Sequence, residues 1–188
     1  MNHSFLFAAL VFGLPLIAPG LQAGQLKPET QVLVDARISE VARWAIDSSL
    51  VDAVARQNSS HPEILADLSQ EKWKLLPLTH PAVSSLIDNK AAAFLRAHQG
   101  AWMSEAFVSD ATGRKVAFLT KPTSWSHAGK PKHEVPMTGH TWQGEIEIDA
   151  SVGTRQLQIA VPILQEGKPI GSLVVGLNLM ELGSGTMQ

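Results

Sequence analysis

The chain has 188 residues, a length typical of one globular domain, and it contains no cysteine. A disulfide framework, thiol catalysis, an iron–sulfur cluster and a cysteine-ligated zinc are therefore excluded. The 15 Lys and Arg residues nearly balance the 17 Asp and Glu residues, which leaves a formal net charge of -2. Because nucleic-acid-binding domains normally carry a strongly basic face, we expect no nucleic-acid partner.

The N-terminus has the pattern of a secretory signal peptide. An apolar run from Phe5 to Ile17 is broken by Pro19 and Gly20, and a small residue, Ala23, follows shortly after. An uncleaved membrane anchor is the alternative, but a span needs about 20 apolar residues and this run is shorter. We predict that residues 1–23 are a cleaved signal peptide and that residues 24–182 form one periplasmic domain. Residues 183–188 are expected to be a flexible tail.

Helices are predicted in the first half of this domain. From Glu29 to Gln57 the apolar residues recur at the spacing of one helix face, which predicts one long amphipathic helix. Ser60 to Glu63 has the composition of the cap and first turn of a short helix, with Pro62 at a position that tolerates proline. A third helix is predicted over Ala82 to His98 and ends at Gly100.

Strands are predicted from Trp102 onward, where alternating apolar residues and turns replace the helical spacing. Five strands are expected, at Met103 to Ser109, Lys115 to Thr120, Gly144 to Ile148, Arg155 to Leu164 and Pro169 to Leu179. Asp110 to Gly113 forms the turn of the first hairpin, and Lys121 to His140 is a long aperiodic loop. Because the other connections are too short for parallel crossovers, the fold class is α+β with an antiparallel sheet.

The order of these elements resembles the single Cache family of extracytoplasmic sensor domains, also called PDC or PAS-like domains. The resemblance covers about Thr30 to Leu182, and two segments carry it most clearly. They are Glu105-Ala106-Phe107-Val108-Ser109-Asp110-Ala111-Thr112-Gly113, and Val161-Pro162-Ile163 followed by Gly167-Lys168-Pro169-Ile170-Gly171-Ser172-Leu173-Val174-Val175-Gly176. It implies a long N-terminal helix on one face of a five-stranded antiparallel sheet, and a ligand pocket on the other face. The loop from Lys121 to His140 would cover this pocket.

Basic residues in and before this loop suggest an anionic ligand. From Arg114 to His133 there are five Lys or Arg residues, two histidines and no acid. Lys121, Lys132 and His127 are candidate polar contacts, Thr123 and Ser124 are directional donors, and Trp125 is a flat apolar wall that no helix or strand face would otherwise bury. Alternation along the strands adds Phe107 as an apolar floor, with Gln158 and Asn178 as polar candidates. The alternative is that this segment is merely a solvated basic loop.

Catalytic and metal chemistry find less support in the sequence. No second Asp-x-x-Gly segment supplies a paired carboxylate, no phosphate-binding loop or nucleophile elbow is present, and Ser124 or Ser126 beside His127 lacks an orienting acid. His127, His133 and His140 could hold a metal in a folded loop, although their spacing matches no helical pair. We expect a protein that is not an enzyme and that needs no cofactor or metal.

These observations together predict a periplasmic domain that binds or senses a small molecule, either an anionic metabolite or an amino acid. The sequence ends nine residues after the last predicted strand, so we expect no output module of its own. A membrane-bound signalling protein is a candidate partner. Two alternatives stay open at this stage: an extracytoplasmic protein-interaction module without a small ligand, and a metal-binding histidine loop.

Overall fold

The computed structural model describes residues 26–60, 62–149 and 154–183. The predicted signal peptide, residues 1–23, lies outside this range, as do residues 184–188 of the predicted tail. Seven helices lie in the described part of the chain: α1 Pro28–Trp44, α2 Ser48–Ser60, α3 Glu63–Ala66, α4 Gln70–Leu75, α5 Pro81–Ile87, α6 Lys90–Ala97 and α7 Pro131–Met137. None of the helices within these ranges is both long and apolar enough to cross a membrane.

The long N-terminal helix predicted from Glu29 to Gln57 is in fact two helices, α1 and α2. Asp47 causes the break, because its side chain accepts a hydrogen bond from the Ser49 amide at 2.8 Å and so caps the start of α2. Its carbonyl accepts the amides of Leu50 and Val51, both at 3.0 Å. An aspartate that the periodicity assigns to a solvated helix face therefore begins a second helix.

The helix predicted from Ala82 to His98 is divided in the same way, into α5 and α6. Asn89 accepts a hydrogen bond from the Ala92 amide at 2.9 Å, which caps α6. Its amide group also donates to the Val116 carbonyl at 2.8 Å, which fixes the helix start to the sheet. Both breaks occur at residues that favour N-caps and that a search for apolar periodicity alone does not detect.

The sheet is antiparallel throughout, as predicted. Among the described residues its six strands are β1 Met103–Asp110, β2 Lys115–Phe118, β3 Trp142–Gln143, β4 Glu147–Asp149, β5 Thr154–Gln165 and β6 Lys168–Asn178. Their order is β2-β1-β6-β5-β3, and β4 also pairs with β5. The predicted strand from Gly144 to Ile148 is thus replaced by two short strands that pair with different parts of β5.

Both faces of the sheet are covered, and the predicted alternation along β5 and β6 is confirmed. Leu157, Ile159 and Val161 of β5 lie in a core formed with α1, α2 and α6. On the opposite face, Ala160 and Val174 join a second core that contains the aromatic residues Trp73, Phe107, Phe118 and Trp125. Because side chains of a strand alternate between faces, β1, β2, β5 and β6 each contribute to both cores.

The segment from Lys121 to His140 is not entirely irregular, contrary to the prediction. It contains α7, which begins with Pro131 at a position where a missing N–H costs nothing. Lys132 of α7 donates to Gln158 at 2.6 Å, and His133 lies 2.9 Å from the Ser172 hydroxyl. These two contacts hold α7 against β5 and β6, so tertiary contacts stabilise a helix that the local sequence does not predict.

Candidate ligand-binding site

A cavity of about 330 Å³ lies on the sheet face that is turned away from α1 and α2. Strands β1 and β5 form its floor, while the segment after β2 and α7 form its walls. Its lining residues are Ser104, Glu105, Phe107, Thr120, Lys121, Pro122, Thr123, His127, Lys132, Gln156 and Gln158. The volume is near the lower end of the range for small-molecule sites, so it suits a metabolite of a few non-hydrogen atoms.

Six of the nine predicted ligand residues line this cavity. They are Phe107, Lys121, Thr123, His127, Lys132 and Gln158. Ser124 is partly buried nearby but is not among the lining residues. Asn178 lies at the end of β6, where its side chain accepts a hydrogen bond from the Met180 amide at 3.0 Å. Asn178 therefore stabilises the turn after the strand rather than facing the cavity.

Trp125 occupies a different place from the one predicted, because it is a core residue. Only 4% of its surface is exposed, and its ring centroid lies 5.2 Å from that of Trp73. Its amide donates to Gln70 Oε1 at 2.8 Å, so the loop is attached to α4 through both side chain and backbone. The prediction that nothing would bury this tryptophan is wrong, because α4 supplies the covering surface that local sequence cannot reveal.

A chain of hydrogen bonds with opposite charges at its ends crosses the cavity floor. Lys132 donates to Gln158 Oε1 at 2.6 Å, and the amide group of Gln158 donates to Glu105. Burial is the main cause that lowers the pKa of Lys132, while the nearby Glu105 opposes that shift. The cavity thus presents a cation and an anion that one neutral amide separates.

Glu105 was not among the predicted site residues, although the sequence contains a signal for it. It is two residues from Phe107, so both side chains lie on the same face of β1. A carboxylate is unusual on the same strand face as an apolar residue that is expected to be buried, so Glu105 could have been chosen as a candidate ligand contact. Ser104, Thr120, Pro122 and Gln156 were missed as well, and no motif in the sequence marks them.

Lys121 differs from Lys132 because its ammonium group is already occupied. It donates to the carbonyls of Trp73 and Leu76, both at 2.7 Å, and lies 4.8 Å from the centre of the Trp73 ring. Carbonyls at the end of a helix lack intrahelical partners, so Lys121 satisfies those at the end of α4. Lys132 is therefore the better placed of the two lysines to meet a ligand.

A buried lysine lies directly behind the cavity wall. Lys115 has no exposed surface, and its Nζ lies 2.9 Å from His127 Nδ1, 3.4 Å from the Ser109 hydroxyl and 4.5 Å from the centre of the Phe107 ring. Burial, assisted by the charge of Lys132, lowers the pKa of Lys115 to about 7. Burial, assisted by Lys115, lowers the pKa of His127 to about 3. His127 thus stays neutral at physiological pH and does not titrate near its usual value.

The three histidines considered as metal ligands have separate partners. His127 contacts Lys115, His133 lies 2.9 Å from the Ser172 hydroxyl, and His140 Nδ1 lies 3.0 Å from the Thr138 hydroxyl. Within residues 26–60, 62–149 and 154–183, no group of three or more His, Asp or Glu residues is arranged to hold a metal ion.

Comparison with known proteins gives matches among solved structures only. No protein-family model matches the sequence, and no curated protein matches it. The sensor domain of the V. cholerae histidine kinase DctB is 16% identical, with a TM-score of 0.47 over 82% of this chain and 54% of that chain.

Two chemoreceptor domains are further examples. The ligand-binding domain of the Pseudomonas aeruginosa PAO1 amino-acid chemoreceptor PctC, solved with GABA, is 13% identical, with a TM-score of 0.41 over 79% of this chain and 62% of that chain. That of the Pseudomonas fluorescens chemoreceptor CtaA, solved with L-alanine, is 18% identical, with a TM-score of 0.38 over 79% and 61%. The chain thus spans less than two thirds of each solved chain. All three are sensor or ligand-binding domains.

Proposed function

We propose that the protein is a periplasmic ligand-binding domain that takes a small carboxylate-bearing metabolite, with an amino acid as the favoured class. The observation that carries this proposal is the pairing of Lys132 and Glu105 in the lining of one small cavity. Lys132 offers a positive partner for a carboxylate. Glu105 offers a negative partner for an ammonium group, and Phe107 supplies the apolar surface that a short side chain would contact.

Gln158 holds both charges in place in the cavity. Its amide oxygen and amide nitrogen bind Lys132 and Glu105 at the same time. A zwitterion could replace the two interactions with stronger charge-assisted hydrogen bonds to the same groups. The neutral donors around them, Thr120 and Thr123 among others, would add direction without adding charge.

The direction in which the basic residues point argues against the alternative of a protein-docking loop. Lys115 is fully buried, Lys121 binds the end of α4, and Lys132 lies on the cavity wall. Three of the five basic residues between Arg114 and His133 therefore face inward. We propose a binding role rather than a catalytic one, and a membrane-bound signalling protein as the partner that would detect the bound state.

Thermal stability in the presence of candidate ligands tests this proposal. We expect glycine, L-alanine or another small amino acid to raise the melting temperature, with a gain of about 2.7 kcal/mol at 100 times Kd. Lys132→Met should abolish the stabilisation, whereas Lys130→Met, a change of an exposed neighbour that does not line the cavity, should retain it.

Glu105→Gln separates the two ligand classes. It should weaken binding of amino acids, because their ammonium group loses its negative partner, while simple carboxylates such as propionate keep the Lys132 contact. If no amino acid or carboxylate stabilises the wild-type protein, the proposal is wrong.

A further inference from the structure

His127 is the only histidine among the residues that line the cavity, and its two ring nitrogens have different surroundings. Nδ1 lies 2.9 Å from Lys115 Nζ. Nε2 has no hydrogen-bond partner among the described residues. Every buried side-chain nitrogen or oxygen atom in the same part of the chain does have a partner. Nε2 is therefore not fully buried, and because His127 is only 7% exposed and lines the cavity, we infer that this nitrogen faces the cavity.

The ammonium group of Lys115 determines which nitrogen can carry the ring proton. A charged lysine has three donors and no acceptor, so it can only donate to Nδ1. A neutral imidazole whose Nδ1 accepts must carry its proton on Nε2. Phe107 and Ser109 enclose the lysine from the other sides, at 4.5 Å and 3.4 Å, so the ammonium group is held in this position.

We propose that Lys115 is a positioning residue that fixes the His127 tautomer, so that Nε2–H donates a hydrogen bond to an acceptor oxygen of the ligand. Lys115 itself does not touch the ligand, because it lies behind His127 and Phe107 and has no exposed surface. This inference rests on the proposed function, since it requires a ligand with a carboxylate or carbonyl oxygen that His127 can contact. It adds a neutral donor to the charged contacts of Lys132.

Loss of the Lys115 proton removes this constraint. A neutral amine keeps two N–H donors but also has a lone pair, so it can accept from Nδ1–H, and in that tautomer Nε2 is an acceptor towards the cavity. The groups that bear on this equilibrium are Asp110 and Glu105 of β1, Lys132 and His133 of α7, and Lys130 just before α7. As Lys115 becomes neutral, the donor tautomer is no longer the only one that the contact permits, and the affinity of the cavity for a carboxylate falls.

Nitrogen NMR of the histidine side chains tests the tautomer without any ligand. In the wild-type protein at about pH 5.5 we expect His127 Nε2 to be protonated and Nδ1 unprotonated, with the proton moving towards Nδ1 at about pH 9. The variant His127→Gln assigns the signals by their loss. In Lys115→Met, the ring should no longer show this pH dependence. Protonated Nδ1 in the wild-type protein at about pH 5.5, or an unchanged ring in Lys115→Met, would overturn the inference.

Affinity measurements with acetate and glycine as probes complete the test. Lys115→Met should weaken binding of either probe about tenfold, the effect of losing one hydrogen bond to a charged group. The double variant Lys115→Met/His127→Gln should bind no more weakly than His127→Gln alone, because Lys115 acts only through His127. Additive losses would contradict the inference. If the tautomer is as expected but neither probe binds the wild-type protein, the proposed function fails and the positioning role with it.

Discussion

Replacement of Lys115 by methionine should change how the stability of the protein depends on pH. Lys115 has no exposed surface, and its pKa falls from the ordinary value of 10.5 to about 7 on folding. Between these two values the unfolded chain binds one proton that the folded protein does not bind. Stability therefore rises with pH across this window, and the contribution is lost as the pH falls towards 7. Methionine has no such proton, so Lys115→Met should lack this rise.

The size of the effect follows from the width of the window. Each pH unit inside it changes the free energy of unfolding by up to about 1.4 kcal/mol. From about pH 7.5 to about pH 9.5, the wild-type protein should therefore gain roughly 2.5 kcal/mol relative to Lys115→Met. For a chain of this size, that corresponds to a relative increase in melting temperature of about 5–10 °C. His127 does not interfere, because burial keeps its pKa at about 3, far below this range.

Urea unfolding monitored by tryptophan fluorescence at three pH values across this range measures the effect directly. Lys168→Met, which removes an exposed lysine at the start of β6, is the matched control and should follow the wild-type curve. The informative quantity is the difference in slope between the variants, since other groups contribute equally to each. If wild-type and Lys115→Met stabilities change in parallel with pH, Lys115 is charged in the folded protein throughout and the reasoning is refuted.

Three further substitutions test the packing around the site by their effect on the free energy of unfolding. Trp125→Ala should cost about 3–5 kcal/mol, because it empties a core position beside Trp73 rather than a cavity wall. Gly171→Ala should cost more than about 2 kcal/mol, since a Cβ there would overlap the Ser109 carbonyl oxygen of the neighbouring strand. Asn89→Ala should cost about 1–2 kcal/mol through loss of the α6 cap.

Denaturant unfolding of each purified variant measures these costs, and Gly183→Ala is the control for the glycine change. A Cβ at Gly183 would meet nothing nearer than a methyl group of Leu33 at 4.0 Å, so its effect should stay within about 0.5 kcal/mol. A near-neutral Gly171→Ala would mean that β1 and β6 can separate without cost. If Trp125→Ala lost ligand binding but kept its stability, Trp125 would line the cavity, as the sequence predicted, and would not be a core residue.

The strands were predictable because their signal is local. Alternation along β5 assigns Leu157, Ile159 and Val161 to one face and Ala160 to the other, and the two cores divide these residues in the same way. The hairpin between β1 and β2 was equally clear, since Asp110 to Gly113 has the composition of a tight turn. In both cases backbone geometry alone relates sequence spacing to position.

The helix boundaries and most of the site depended on contacts between distant residues. Asp47 and Asn89 look like ordinary polar positions until their side chains cap new helices. Gln158 lies 53 residues from Glu105 and 26 from Lys132, so only the folded chain reveals that its amide group joins them. Spacing along the chain contains no information about such pairs, because the register of β1, β6 and β5 brings Glu105 near Gln158, and the position of α7 against β5 brings Lys132 to it.

The sequence by itself determined an α+β domain with an antiparallel sheet, and the segment from which several cavity-lining residues come. The tertiary structure decided what each basic or aromatic residue in that segment does. Trp125 became part of the core because α4 covers it, and Lys115 became buried because both faces of β2 are covered. Lys132 was left at the cavity. The physical reason is that the burial of a residue depends on which surfaces pack together in the folded state. Periodicity shows only which face of each helix or strand is apolar.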